Sequence, residues 1–223
     1  MMPIYKILAF LSVGILVSCG DCDGDRNLGS LEITSTSLSW IPYDGSEQLT
    51  FKNESGESLE LTSQGIKTST ARLNVVILCD NGLFDRSHEY YWTEKETIVF
   101  NDPSGRSVFQ LELLNQFEDE RSDNTIAVYD QLSISTSYYT GPNASIQIVT
   151  DDQLGEVSDE HKNAVQSKSP YIGDTILLSQ PFNAVFQGST GVLKSGGEKF
   201  VFYSKERGVI GWSEEGGSTW IIQ

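Results

Sequence analysis

The sequence predicts an all-β fold, and three observations lead to that class. Apolar and polar residues alternate with a period of two from Glu47 to the C-terminus. The apolar runs are short and end at turns rich in Gly, Asn and Asp, and no long amphipathic helix interrupts them. We therefore expect a single antiparallel sheet of about 11 short strands, either curled into a half-barrel or barrel-like shape or packed as a two-sheet sandwich.

The first half of this pattern contains two hairpin signals. Leu49 and Phe51 alternate with polar residues, and after a turn at 53–56 the alternation resumes at Leu59 and Leu61. A later run ends at Asp80-Asn81-Gly82, a strong two-strand turn signal. The apolar residues that share one face of that run are Leu73, Val75, Ile77 and Cys79.

The second half repeats the pattern around one polar gap. Further strands are expected at 88–100, 109–113, 126–134, 146–148, 176–178, 182–186 and 200–202, with a closing hairpin at 209–222. The gap runs from Thr150 to Ser169. Within it, residues 155–166 are consistent with one or two exposed helical turns.

The N-terminus has the composition of an export signal. Lys6 precedes an apolar run from Ile7 to Val17, which is well short of the ~20 residues that a membrane-spanning helix needs. The sequence Leu16-Val17-Ser18-Cys19 resembles the bacterial lipobox, whose cysteine is acylated before the leader is cleaved. We therefore expect a lipoprotein signal peptide at 1–18, lipidation of Cys19, an acidic and polar tether at 19–39 and one all-β domain at 40–223.

The chain is strongly acidic, with a net charge of −16 and charged residues scattered along its length. Such a field disfavours nucleic acid and anionic lipid as partners. With 38% hydrophobic residues, the composition is that of a globular protein.

The cysteines predict one disulfide. The chain has 3, and lipidation of Cys19 leaves Cys22 and Cys79 as a pair in an oxidising compartment. Cys79 is in phase with the apolar face of its strand, so it is expected to face inward. Closing a loop of this length is worth about 4 kcal/mol by the chain-entropy estimate.

The sequence carries no catalytic or metal-binding motif of any specificity. There is no Gly-x-Ser-x-Gly elbow, and neither His88 nor His161 belongs to a Cys/His cluster with zinc-ligand spacing. Asp21, Asp23, Asp25 and Glu32 are spaced like calcium-loop ligands, but Arg26 replaces the glycine such a loop requires. We therefore predict no enzyme activity, no catalytic residue, no metal site and no cofactor, and we identify no ligand-binding residue.

Asp130 has an unusual register for an acid. It lies in phase with Val128 and Leu132, on the apolar face of its strand. A β-bulge that turns the carboxylate outward is the expected explanation, and the alternative is a polar group inside a pocket.

The aromatic residues are the remaining candidates for a ligand-binding surface. Neighbours on a strand face opposite sides, so one member of each adjacent pair meets solvent or a cavity. Ordinary packing is the simpler interpretation, and a platform for sugar rings or an apolar ligand is the alternative. The residues concerned are Trp40, Trp92, Trp212, Trp220 and the pairs Tyr90-Tyr91 and Tyr138-Tyr139.

Two stretches resemble uncharacterised lipoproteins of Bacteroidota-type bacteria. One runs from Trp40-Ile41-Pro42-Tyr43-Asp44-Gly45 to Gly56-Glu57, and the other from Phe202-Tyr203-Ser204-Lys205 to Trp220. The acidic segment 20–25 resembles export signals that send some such proteins to the cell surface. The resemblance implies an outer-membrane location, on the cell surface or the periplasmic face, and a β architecture, but no activity.

The expected role is therefore binding or assembly at the cell envelope. The protein would be held to the membrane through the lipid on Cys19 and would carry an apolar ligand. A surface glycan-binding protein is the alternative, and a carboxylate-based hydrolase is less supported. An open apolar interior would favour the carrier, an exposed aromatic row the glycan binder, and a cleft with two converging acids the hydrolase.

Overall fold

A computed structural model describes residues 24–80, 86–118, 126–136, 144–189, 200–213 and 218–223. These residues form twelve strands and two short helices. In chain order the elements are β1 (Arg26–Leu31), α1 (Ser35–Leu38), β2 (Gln48–Lys52), β3 (Ser58–Asp80), β4 (Arg86–Asn101), β5 (Ser107–Glu118), β6 (Ala127–Thr136), β7 (Ser145–Leu154), α2 (Asp159–Ser167), β8 (Tyr171–Leu177), β9 (Gln180–Ser189), β10 (Phe200–Ser204), β11 (Gly208–Ser213) and β12 (Thr219–Ile222).

The strands form one sheet that closes on itself, so the all-β prediction is confirmed. The order is β4-β3-β2-β12-β11-β10-β9-β7-β6-β5, and β5 pairs with β4 again. Of the two alternatives, the sheet is curled and not split into a sandwich. β1 and β8 lie outside this ring, on β4 and β9. The sheet is antiparallel except for β1, which runs parallel to β4.

Large aromatic side chains fill the ring. Phe109 on β5 lies 6.3 Å from Trp212 on β11, measured between ring centroids. These strands lie far apart in the sheet order, so the contact crosses the interior. Phe51 joins the cluster at 4.6 Å from Trp212, and Phe100 stacks on Phe109 at 4.6 Å. All four side chains are almost completely buried, as expected for a packed core.

The long β3–β4 hairpin extends beyond the ring. β2 covers β3 only from Ser58 to Thr62, whereas β4 pairs with β3 as far as Asp80. Because residues 66–72 are exposed on both faces, they lack the alternation by which a strand is recognised, and the sequence indicated two separate runs here. The expected Asp80-Asn81-Gly82 hairpin agrees with the antiparallel pairing of Asp80 with Arg86, but residues 81–85 lie outside the described residues.

Residues 26–38 are more ordered than the expected tether at 19–39. Arg26 to Leu31 pair with Glu89 to Thr93 as β1, and Thr34 caps α1. Ile33 then enters the buried core. Of the expected polar gap at 150–169, the first residues belong to β7, which continues to Leu154, and 159–167 form α2, a nine-residue helix, where exposed helical turns were expected. Among the described residues, no helix is long and apolar enough to cross a membrane.

Candidate functional site

Within the described residues, β7 and β9 meet at one end only and then separate. Only one residue pair, Ser145 with Ser189, joins these strands within the described part of the chain. Gly188 lies at this contact, and a Cβ there would overlap the carbonyl of Ser145. Beyond the pair the strands diverge, and the Ser169 hydroxyl accepts a hydrogen bond from the Gln147 amide at 2.7 Å. The divergence opens a gap that α2 and the start of β8 border.

A cleft of about 410 Å³ occupies this gap. Its volume lies within the ordinary range for small-molecule sites. β7 contributes one wall, α2 a second, and Phe186 on β9 and Trp40 a third. The lining residues are Trp40, Gln147, Ile148, Val149, Thr150, Asp151, Asp152, Lys162, Gln166 and Phe186.

Two aromatic side chains, Trp40 and Phe186, line the cleft. Trp40 meets Phe186 edge-on at 5.8 Å between centroids, and Tyr171, which lies outside the residues that line the cleft, is 5.2 Å from Phe186. Tyr171 is 52% exposed, whereas Phe186 is buried. The three side chains form an aromatic row that runs from the half-buried Trp40 through Phe186 to the exposed Tyr171 beside the cleft.

The polar wall of the cleft carries one ion pair. Lys162 Nζ lies 2.9 Å from Asp152 Oδ2, and this hydrogen bond is the main reason why the pKa of Lys162 is raised. Asp151 and Gln166 flank the pair. Because Asp152 is neutralised by Lys162, the two neighbouring acids do not form a pair of free carboxylates.

Two contacts hold α2 against the sheet. Ser158 caps the helix by accepting a hydrogen bond from the His161 amide, and its own amide donates to Glu118 Oε2 at 2.9 Å. The Ser158 hydroxyl donates to the other oxygen of the same carboxylate. In the first turn of the helix, the Nε2 atom of His161 lies 2.8 Å from the Tyr129 hydroxyl. These contacts hold the first turn of α2, which leads into Lys162, against the sheet.

Trp40 is positioned by the segment that leads from α1 into the core. The Tyr203 hydroxyl donates to the Trp40 carbonyl, and Lys205 Nζ lies 4.9 Å from the centre of the indole. Three residues further on, Tyr43 accepts a hydrogen bond from the Val209 amide at 2.7 Å. Burial raises the pKa of both tyrosines, so both stay protonated.

Asp130 lies inside the protein, so the expectation that a bulge turns it outward is wrong. The residue is fully buried and accepts hydrogen bonds from Asn115 Nδ2 at 2.6 Å and from the Thr34 amide at 3.0 Å. Gln153 Nε2 donates to both carboxylate oxygens, at 3.0 and 3.1 Å. Bulges do occur in this pairing, but they add Thr150 and Gln153 to β7 and bring their side chains towards Asp130.

Asp130 therefore points inward, as the alternative of a polar group inside a pocket expected, but it lies in a packed hydrogen-bond network and is not among the residues that line the cleft. The carboxylate holds the start of α1 through Thr34 and the inner face of β5 through Asn115. Among the described residues, the side-chain oxygens of Asp130 accept hydrogen bonds from neutral donors, Thr34, Asn115 and Gln153, which satisfy the buried carboxyl group. Asp130 thereby ties the segment that carries Trp40 to the sheet.

Several residues singled out from the sequence lie away from the cleft or outside the described residues. Cys19, Cys22 and the Tyr138-Tyr139 pair fall outside them, so lipidation and the disulfide remain predictions. Cys79 lies in register with Ser87, and Asp25 accepts a hydrogen bond from the adjacent His88 amide. The backbone thus brings residue 25 to the strand position next to the partner of Cys79.

No group of three or more His, Cys, Asp or Glu side chains is arranged for a metal ion within the described residues. The aromatic residues of the sequence analysis separate into three places. Trp212 and Trp220 stack at 6.1 Å in and beside the core, Trp40 reaches the cleft, and Trp92 lies exposed on the β3–β4 hairpin.

Sequence reasoning missed Lys162, Gln166 and Phe186 as cleft residues. Phe186 has the alternation of any core residue, and the two α2 residues lie in a polar gap without a motif. Only the divergence of β7 and β9, a feature of the sheet as a whole, brings them together.

No family model matches this chain, and no curated protein or solved structure is significantly similar to it. The candidate site is therefore defined by its geometry alone.

Proposed function

We propose that this protein is an envelope lipoprotein, anchored through a lipid on Cys19, that binds a saccharide in the cleft between β7, α2 and β9 without performing catalysis. One observation carries the choice of ligand: the aromatic side chains of Trp40 and Phe186 line the same cleft as a set of polar and charged side chains. Sugar rings have apolar C–H faces that stack on aromatic side chains and hydroxyl edges that need donors and acceptors.

The polar wall suits the hydroxyl edge of such a ligand. Gln147 and Gln166 each offer both a donor and an acceptor, and the Asp152–Lys162 pair adds a charged acceptor beside a charged donor. Asp152 Oδ1 has no hydrogen-bond partner within the described residues. A hydroxyl group of the ligand would supply that partner.

An apolar carrier ranks below a saccharide binder. A carrier needs space inside the sheet, and the Phe51, Phe109 and Trp212 side chains occupy the centre of the ring. A hydrolase ranks lower still, because Asp152 is already paired with Lys162 and Asp151 has no second free acid opposite it among the lining residues.

An oligosaccharide array tests the proposed ligand class. We expect the purified full-length protein to bind a defined subset of the neutral or charged oligosaccharides on the array. Tyr171→Ala, which removes the exposed end of the aromatic row, should weaken that binding about tenfold. Tyr91→Ala removes a tyrosine from the β3–β4 hairpin and serves as the matched control, with binding unchanged. Equal losses in both variants, or no retained saccharide at all, would refute the proposal.

The anchor is tested separately by Cys19→Ala. The variant is expected to remain unlipidated and to leave the membrane fraction. Incorporation of labelled fatty acid into Cys19→Ala would contradict the lipobox interpretation without bearing on the cleft.

A further inference from the structure

The part of the β3–β4 hairpin outside the ring, together with β1, forms a three-stranded ribbon (residues 26–31, 66–80 and 86–94) with an aromatic face. Tyr90 and Trp92 point to the same side because they are two residues apart on β4. Their rings meet edge-on at 5.7 Å with an interplanar angle of 87°. Trp92 is 43% exposed, one of the most exposed large side chains described.

Arg72 crosses this face from β3. Its guanidinium lies 4.0 Å above the Tyr90 ring and reaches Asp25 Oδ2 at 2.5 Å, while its Nε donates to Asn74. Asp25 also accepts the His88 amide at 2.9 Å. These bonds fix the start of β1 to the end of the ribbon that is farthest from the ring.

The chain before β1 therefore begins at the outer end of the ribbon. Six residue steps separate Cys19 from Asp25, and an extended chain of that length spans at most about 20 Å. Trp92 lies four positions along β4 from His88, or about 13 Å. A lipid on Cys19 would consequently bring the bilayer surface close to the outer part of the ribbon.

We propose that the aromatic face of the ribbon, formed by Tyr90 and Trp92 beside Arg72, rests in the headgroup region of the bilayer that holds the lipid on Cys19. The proposal rests on the lipid anchor of the proposed function. Tryptophan and tyrosine favour this region because each ring combines an apolar body with a polar group. Because the lipid anchor already holds the protein at the bilayer, the aromatic face needs little intrinsic affinity for lipid.

The surrounding side chains favour a lipid surface over a saccharide at this face. Arg72 already covers one side of the Tyr90 ring, so that side is closed to a stacking sugar. Glu94 and Glu96 continue the same side of β4 towards the ring. Since immersing these carboxylates is costly, contact is limited to the outer part of the ribbon.

Tryptophan quenching in vesicles tests this inference. The full, lipidated protein is placed in phosphatidylcholine vesicles whose acyl chains are brominated near the headgroup end. We expect the brominated lipid to quench part of the tryptophan emission of the protein. The Trp92→Phe substitution should remove most of this quenching. Trp40→Phe is the matched control and should retain the quenched component, because Trp40 lies at the cleft.

The mass of the purified protein is measured first, so failure of the anchor is distinguished from failure of the ribbon contact. An unacylated chain overturns both. An acylated chain whose quenching is the same with and without Trp92 overturns the ribbon contact alone. A change in Trp92 emission on adding the array-positive oligosaccharide, without quenching by the brominated lipid, overturns it in favour of a second saccharide surface.

Discussion

Asp130 shows how far a single residue can be interpreted from sequence. Its phase with Val128 and Leu132 correctly marked it as unusual. Whether it points in or out depends on its hydrogen-bond donors, and Thr34 lies 96 positions away in the sequence. A carboxyl group can be buried only where the fold supplies such hydrogen-bond donors. The alternation of apolar and polar residues along one strand does not reveal where these donors are.

Asp130→Asn is expected to destabilise the protein by about 3 kcal/mol. The new amide group directs a donor at Asn115 or Gln153, both of which are already donors to this position. Urea unfolding followed by tryptophan fluorescence measures the change. Ser135→Ala, on the same strand and on its other face, is the control and should cost about 0.5 kcal/mol or less. An unchanged midpoint for Asp130→Asn would show that the buried network contributes little.

Among the elements, β1 was not anticipated as a strand. Arg26 to Leu31 has little apolar alternation because it lies on the outer edge of the ribbon, and its residues are exposed or half-buried. It is held by backbone pairing with β4, to which Asp25 and the Arg26–Glu89 ion pair add side-chain contacts. The strong hairpin signal at Asp80-Asn81-Gly82 correctly joined β3 to β4, whereas the length of β3 could not be predicted from an exposed stretch without alternation.

Acid is expected to release β1. The side-chain hydrogen bond from Arg72, followed by the His88 amide, lowers the pKa of Asp25 to about 2. An unfolded aspartate titrates near ~3.9, so this contribution is fully present above that pH and is lost as the pH falls through about 2. Pepsin, which is active across this range, should cut at 26–31 increasingly as the pH is lowered.

Asp25→Asn is the control for this experiment. Since it lacks the titrating group, cleavage at 26–31 should be fast at both ends of the range, and the wild-type protein should approach its rate only at the acid end. Equal pH profiles for the two proteins would contradict the role assigned to Asp25.

The cap of α2 is the second test at the level of elements. Ser158→Ala removes the hydrogen bond to the His161 amide and the hydroxyl contact with Glu118, and should cost about 1–2 kcal/mol. The loss should be local, with faster amide exchange in α2. Ser167→Ala, at the other end of the same helix, should leave exchange near Ser158 unchanged. Uniformly faster exchange across the sheet would mean that α2 does not respond as a separate unit.

At the scale of the whole molecule, alternation and turns were enough to predict an all-β fold but not the closure of the sheet. Among the described residues, closure depends on the β4–β5 pairing and on the pairing of Ser145 with Ser189. The cleft lies where β7 and β9 separate beyond that pair. No local pattern in β7, α2 or β9 encodes it, which is why the sequence indicated aromatic residues as a resource without locating a site.

The predicted Cys22–Cys79 disulfide would fix the N-terminal segment to the ribbon. The Asp25–His88 hydrogen bond brings the chain to the appropriate strand position. Thiol counting on the denatured mature protein should find no free thiol before reduction and two afterwards. Two free thiols without reductant would contradict the disulfide. The N-terminal segment would then be attached to the ribbon only through Asp25 and β1.

The central claim is that a saccharide occupies the cleft between β7, α2 and β9, and amide hydrogen exchange with the array-positive oligosaccharide tests it most directly. Binding should slow exchange in residues 145–154 and 159–167, which border the cleft, and should leave the ribbon at 66–80 and 86–94 unchanged. Tyr171→Ala should require a higher oligosaccharide concentration for the same protection. Protection confined to the ribbon, or saturating binding without protection in β7 and α2, would contradict the account.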